Sequence, residues 1–305
     1  MPQDSQQTHD QEQQAAPVIS FAERGVIVAG QRIASAMNDV TPAQALEQAR
    51  LARMPLVVLP ELLSNWEDYR PLLDAFAPLR RVFTLDWPGC GASARPAPAD
   101  FAYTVPHLAE LFAAWMDSLG IARACIVAFG VGAAVAARYE VTHAARVGAL
   151  GLIGPLGFVR LGGLLGRAMA SPGLLRRIEP TLTSLALGPT TPETEAIRAR
   201  HRAQRATPDH SATLAAMAAL LGSLNASAGE TLTLASQIAA PTMVLRGALD
   251  PFCAAGDARR VAEAVGAHGA LEVTLPDAGH YPFLQQRARA CQGIEGLLTT
   301  AEANL

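Results

Sequence analysis

Ala124-Cys125-Ile126-Val127-Ala128-Phe129-Gly130-Val131-Gly132-Ala133-Ala134-Val135-Ala136-Ala137 passes from an apolar run of strand character, through two glycines, into a run of small helix-forming residues. A strand that turns this abruptly into a helix needs small residues at the bend, because neighbouring backbones close on one another there. Such a bend lifts one residue above the C-terminal edge of a sheet. In this chain that residue is Gly130, which has no side chain to present.

Working outward, short apolar runs alternate with helical stretches. Strands are expected at Leu56 to Leu59, Arg81 to Leu85, Ala149 to Ile153, Thr242 to Arg246 and Leu271 to Leu275, with short β-like runs between Val18 and Ala36. Helical spacing marks Trp66 to Ala77, Ala288 to Glu302 and above all Val105 to Leu119. In that last segment Leu108, Leu111, Phe112, Trp115 and Leu119 share a face between a Thr104 cap and a Gly120 stop. Strands that read as continuous apolar runs are buried on both faces, so the expected fold class is α/β, with a mostly parallel central sheet flanked by helices.

After Gly154-Pro155 some eighty residues keep helical periodicity with no convincing strand, which is expected to form an inserted helical lid. The expected division is a polar, disordered tail over 1–17, a core over 18–155 and 236–305, and a lid over 156–235. Thr41-Pro42-Ala43-Gln44 reads as a helix start, opening an unusual helix to about Arg53.

Composition narrows the function classes. With 305 residues, half of them apolar, the chain can bury a large core. A net charge of −3 gives no field that points to nucleic acid. There is no lysine, which removes Schiff-base and Ser-Lys mechanisms. Cys90, Cys125, Cys253 and Cys291 are too scattered for a structural metal, so no metal is expected. The N-terminus lacks a signal-peptide pattern and no stretch reads as a membrane span, so a cytoplasmic protein without membrane contact is the expectation. Gly130-Val131-Gly132 after a strand also resembles a dinucleotide-binding turn. The third glycine position falls at Val135 and no acidic residue ends the next strand, so that reading is discarded and no cofactor is expected.

Two further segments follow strands near the C-terminus: Gly247-Ala-Leu-Asp250-Pro251 and Asp277-Ala-Gly279-His280-Tyr-Pro-Phe283. Together with Asp86-Trp-Pro-Gly-Cys-Gly-Ala-Ser93-Ala-Arg-Pro96 and the bend at Gly130, they make the chain resemble the α/β-hydrolase superfamily over roughly Phe21 to Leu298. The resemblance implies a lidded, single-domain hydrolase fold with the elbow, acid and histidine in that chain order. It assigns Asp250 and His280 as the acid–base pair, Gly130 to the nucleophile position, and the backbone N–H groups of Leu62 and Val131 to an oxyanion hole.

The chain departs from the family pattern at two places. Relatives carry Gly-x-Ser-x-Gly at the elbow, where this chain has Ala128-Phe-Gly130-Val-Gly132. They carry His-Gly after the third strand, where it has Pro60-Glu61. A covalent acyl-enzyme needs a hydroxyl, thiol or carboxylate at the elbow, so conventional serine hydrolase activity is not expected. Cys90, Ser93 and Ser64 are expected to be structural. Glu61 either serves as a second acid or base or stands as a solvated or Arg-paired carboxylate. A void above Gly130 would admit a water, whereas a filling by Phe129, Glu61 or a lid side chain would favour a binding role.

Two functions stay open. In one, an apolar small-molecule pocket supports non-covalent hydrolysis, lyase or isomerase chemistry on a carbonyl or ester-type compound, with Asp250 and His280 as acid and base. In the other, a catalytically inactive homologue binds a ligand or a protein. Arg198, Arg200, His201, Arg202 and Arg205 either face water or form a docking patch for an acidic carrier or protein partner. Leu161, Leu164, Leu165, Met169, Leu174 and Leu175 are expected to line the lid's underside.

Overall fold

The chain is described from a computed structural model, over residues 20–38, 52–160, 162, 166–167, 169–266 and 269–303. The tail expected over 1–17 and the body of the helix expected from Thr41 to Arg53 lie outside these residues. Eight strands form one sheet in the order β1-β2-β4-β3-β5-β6-β7-β8. They are β1 (Phe21–Val28), β2 (Gln31–Asn38), β3 (Leu56–Leu59), β4 (Val82–Leu85), β5 (Ala124–Phe129), β6 (Val147–Ile153), β7 (Thr242–Gly247) and β8 (Leu271–Leu275). Pairing is parallel from β4 through β8 and antiparallel at the edge where β1, β2 and β4 meet. The edge hairpin turns on Ala29 and Gly30, both at positive φ, which matches the right-handed twist of the strands it joins.

Among the described residues the helices are α1 (Arg70–Phe76), α2 (Val105–Ser118), α3 (Val131–Thr142), α4 (Pro172–Leu187), α5 (Pro192–Arg205), α6 (His210–Leu234), α7 (Ala255–Ala264), α8 (Pro282–Gln285) and α9 (Arg287–Ala303). Thr104 caps α2 by accepting from the His107 N–H, and Gly120 closes it at φ 66°. Every residue of β3 to β7 is buried, as continuous apolar runs require when helices cover both faces. One apolar cluster packs α2 and α3 against the sheet and reaches into α6; the other packs α1 and α9 on the opposite face.

Between β6 and β7 the described residues form α4, α5 and α6 and no strand. Segment α6 with its 3-10 extension, His210–Gln237, is long and apolar enough to cross a membrane by length and composition, which corrects the sequence reading that no stretch reaches that limit. Its Leu214, Met217, Leu220, Leu221 and Leu224 are buried in the core instead. Leu175 is buried and Met169 half-buried beneath this layer, but Leu174 is 42% exposed and lies outside the expected apolar underside. Leu161, Leu164 and Leu165 are not among the described residues.

Candidate functional site

Gly130 sits at the apex between β5 and α3 with φ 50° and ψ −115°, a conformation that costs a residue with a Cβ about 1–3 kcal/mol. Its amide donates to the Ile153 carbonyl at 3.0 Å and its carbonyl accepts from the Leu156 N–H at 3.0 Å, which fixes the bend between two strand ends. Gly132 is required for a different reason. A Cβ there would meet the Pro60 carbonyl at 2.8 Å and the Leu59 carbonyl at 3.1 Å, so the first turn of α3 could not lie against the end of β3.

The loop after β3 closes over this bend. Trp87 Nε1 donates to the Pro60 carbonyl at 2.9 Å, and the Glu61 amide donates to the Tyr69 hydroxyl at 2.7 Å. Ser64 Oγ donates to the Glu61 carbonyl, and Leu63 takes φ 64°. These bonds aim the Glu61 side chain at Gly130, where its carboxylate fills the place that a Cβ on residue 130 would occupy. Glu61 Oε1 accepts from the Leu62 N–H at 2.8 Å and the Val131 N–H at 3.2 Å, and Oε2 lies 3.2 Å from the Val131 nitrogen. The two main-chain donors inferred by resemblance therefore do converge, and they converge on a carboxylate of the protein itself.

Glu61 Oε2 also lies 3.3 Å from His280 Nε2. On the other side of that ring, Nδ1 is 2.9 Å from Asp250 Oδ2, and Asp250 Oδ1 accepts from the Phe252 and Cys253 N–H groups at 2.8 and 3.1 Å. Burial on its own would push the imidazole down. The hydrogen bond and charge of Asp250, joined by Glu61, outweigh burial and push His280 up to about 10. For Asp250, burial on its own would raise the carboxyl, yet the His280 bond and charge hold it below its ordinary value. With its value raised, the His280 ring is placed to donate from both nitrogens, to Asp250 on one side and to Glu61 on the other.

Glu61 is 8% exposed, which corrects its reading as a solvated or Arg-paired carboxylate, and of the two alternatives for the space above Gly130 the structure has the filled one, with Glu61 as the filling. Nothing local in the sequence shows this, because Glu61 and His280 are brought together only by the sheet. Phe129 does not reach the cavity. It is buried against Tyr69 and Phe283, with ring centroids 4.9 and 5.3 Å away, and supports the site from beneath. Cys90, Ser93 and Ser64 are buried, and Ser93 Oγ bridges the Asp86 carbonyl and the Ala34 amide, a structural role.

A cavity of about 90 Å³ lies over the carboxylate, with Glu61, Leu62, Val131 and His280 on the sheet side and Leu175, His201 and Leu221 contributed by α4, α5 and α6. Its lining is mainly apolar, so it suits a small uncharged molecule. The Arg-rich helix α5 turns inward more than a water-facing helix would. Asp68 holds both Arg200, at 2.8 Å, and His201, at 2.7 Å, while Arg205 meets Glu179 at 3.0 Å and Arg198 donates to the Gly188 carbonyl at 2.6 Å. Arg202 stays outside, paired with Glu195 at 2.8 Å. Sequence spacing carried no signal for the Asp68 contacts, since that carboxylate sits more than a hundred residues earlier.

Comparison with known proteins agrees with the fold. The enol-lactonase from Burkholderia xenovorans LB400 superposes with a TM-score of 0.71 at 22% identity, covering 90% of this chain and 100% of that one. A thermophilic esterase from Thermogutta terrifontis superposes with a TM-score of 0.70 at 19% identity, covering 92% and 99%. The dihydrolipoyllysine-residue acetyltransferase component of the acetoin cleaving system of Cupriavidus necator is 36% identical over 97 residues, which is 32% of this chain and only 24% of that protein. The family model described as the alpha/beta hydrolase family matches residues 63–291, well over half of the sequence. On that match and this architecture, the chain belongs to the alpha/beta hydrolase family.

Proposed function

We propose that this protein binds a small, uncharged, mostly apolar compound in the lidded cavity and performs hydrolase-type chemistry without a serine acyl-enzyme. Gly130 stands at the nucleophile's station, and the Glu61 carboxylate, backed by His280 and Asp250, is the acting group. The observation that carries this reading is the position of Glu61, which faces the cavity from the space a side chain on residue 130 would fill. Simple carbonyl addition by a bound water is disfavoured, because the two N–H donors that would steady a substrate oxyanion already hold Glu61. The same occupancy favours, as a second reading, an inactive relative that binds its ligand only. An acidic-carrier partner is not part of either reading, since Arg198, Arg200 and Arg205 bond within the chain.

The test has two parts. A fluorophosphonate probe should leave the wild-type protein unlabelled, and stoichiometric labelling of any serine would refute the absence of serine chemistry. A thermal-shift screen of small uncharged apolar compounds should find stabilising ligands for the wild type that Leu175→Trp no longer binds, because the indole fills the cavity. Equal stabilisation of both proteins would remove the cavity as the binding site.

A further inference from the structure

The cavity wall carries a second polar group of residues besides Glu61 and His280: Asp68, His201 and Thr183. Among the described residues no hydrogen bond joins the two groups. Helix α5 brings His201 inward because Thr194, Ile197 and His201, at helical spacing, form its buried face, and a capping box at Thr191 fixes where that helix begins. In α4 the buried Leu175, Glu179, Thr183 and Leu187 fall four residues apart, which puts Thr183 on the inward face.

Asp68 has no capacity left for a ligand. Its Oδ1 accepts from Arg200 Nε at 3.1 Å and Nη2 at 2.8 Å, while Oδ2 accepts from the Asn65 amide at 3.2 Å and lies 2.7 Å from His201 Nε2. A carboxylate has no hydrogen to give, so this bond assigns the hydrogen to Nε2 and fixes the ring's orientation. The other ring nitrogen, Nδ1, has no hydrogen-bond partner among the described residues, and neither has the Thr183 hydroxyl. Both side chains are nevertheless more than nine-tenths buried, with His201 6% and Thr183 9% exposed. Buried polar atoms left unpaired cost stability, and in a cavity wall they mark where a ligand can supply the missing bond.

We infer that His201 and Thr183 form a recognition subsite for an uncharged hydroxyl, so that the compound the cavity takes is an apolar body carrying an alcohol or phenol group. This rests on the reading above that the cavity is the ligand site, and it names the polar group that the ligand bears. With its hydrogen on Nε2, the ring offers a lone pair at Nδ1 and requires a donor. A hydroxyl gives its hydrogen to Nδ1 while its oxygen remains able to accept, which suits the hydroxyl of Thr183. A ketone or ether oxygen only accepts and would leave Nδ1 bare. A carboxylate fails for the same reason and would also face the carboxylates of Glu61 and Asp68, which border the same cavity. An ammonium would find both of those carboxylates already paired and would lie as an uncompensated charge among apolar walls. Asp68 acts here as a positioning residue, since it holds the His201 ring and meets no ligand atom.

The experiment titrates two probes of matching shape into the full chain by calorimetry: 4-methylphenol and p-xylene, which differ by a hydroxyl in place of a methyl group. The wild type should bind 4-methylphenol about tenfold more tightly, the worth of one well-made hydrogen bond. In His201→Phe, which keeps a ring at that position and leaves Asp68 paired with Arg200, the order should reverse while p-xylene binding is retained. Thr183→Val removes the hydroxyl alone, should weaken 4-methylphenol and spare p-xylene, and decides the matter where circular dichroism shows His201→Phe to be unfolded. Equal affinity of the two probes for the wild type, or an undiminished preference in the folded variants, would overturn the subsite and leave the cavity reading standing. Failure of the wild type to bind either probe, or equal binding by Leu175→Trp, would instead remove the cavity as the ligand site and the subsite with it.

Discussion

The Glu61 carboxylate occupies the space that Gly130 leaves by having no side chain, and the two residues are therefore a matched pair. One cannot gain a side chain while the other keeps its place. Gly130→Ser should destabilise the protein by roughly 1–3 kcal/mol, since the new Cβ meets the carboxylate in a backbone conformation that favours glycine. Glu61→Gly in the same chain should recover part of that loss. A double-mutant cycle read by urea denaturation should give a favourable coupling of about 0.5–3 kcal/mol. Strict additivity would show that the overlap is not felt.

Removing the plug should expose the anion site. In Glu61→Ala the Leu62 and Val131 N–H groups lose their acceptor, and a small carboxylate can take it over. Acetate should raise the melting temperature of Glu61→Ala and leave the wild type unmoved. At a hundredfold excess over Kd the expected gain is about 2.7 kcal/mol. Equal response of the two proteins would argue that the donors do not act together.

The charge state of His280 is open to titration. Its folded value, up to about 10, stands above the ordinary 6.5, so its contribution to stability is full below the ordinary value and is lost as pH rises through about 10. Asp250 has the opposite sign: its folded value is lowered, and its contribution is present above the ordinary 3.8 and is lost as the solution is acidified through the lowered value. Stability should be flat between about 3.8 and 6.5 and fall from there as pH rises to about 10. Nitrogen NMR of the ring should show both nitrogens protonated at pH 7.5, with the titration moving down in Glu61→Gln. A neutral ring at pH 7.5 in the wild type would contradict the three-group arrangement.

Asp68 ties α5 to the core by holding Arg200 and His201, and it also accepts from the Asn65 amide. Asp68→Asn removes the carboxylate charge that the half-buried Arg200 and the buried His201 ring both face. The cost should be on the order of 3 kcal/mol. Hydrogen exchange should quicken in α5 more than in β5 and α3. Uniform acceleration would mean that Asp68 supports the whole fold and not α5 in particular.

The elements that could be read directly were those whose cause is local. Capping at Thr104, the stop at Gly120 and the alternation of apolar runs with helices lie within short windows, and the structure keeps them with ends shifted by a residue or two. The bend at Gly130 was legible because small residues follow one another there. The reading that no stretch is long and apolar enough to cross a membrane missed His210–Gln237, which meets that limit by length and composition while its leucines are buried in the core.

What the amino-acid order determined by itself was the layer plan and the chemistry missing at position 130, since both follow from side-chain size and period along the chain. Only the tertiary structure decided the fate of Glu61. Its partners, the amide of Val131 and the ring of His280, are 70 and 219 residues away, and three loops from different strands had to meet at one sheet edge before the carboxylate had a site. The same holds for Asp68 and His201. Electrostatic contacts between loops depend on distances in space, and no periodicity along the chain encodes them.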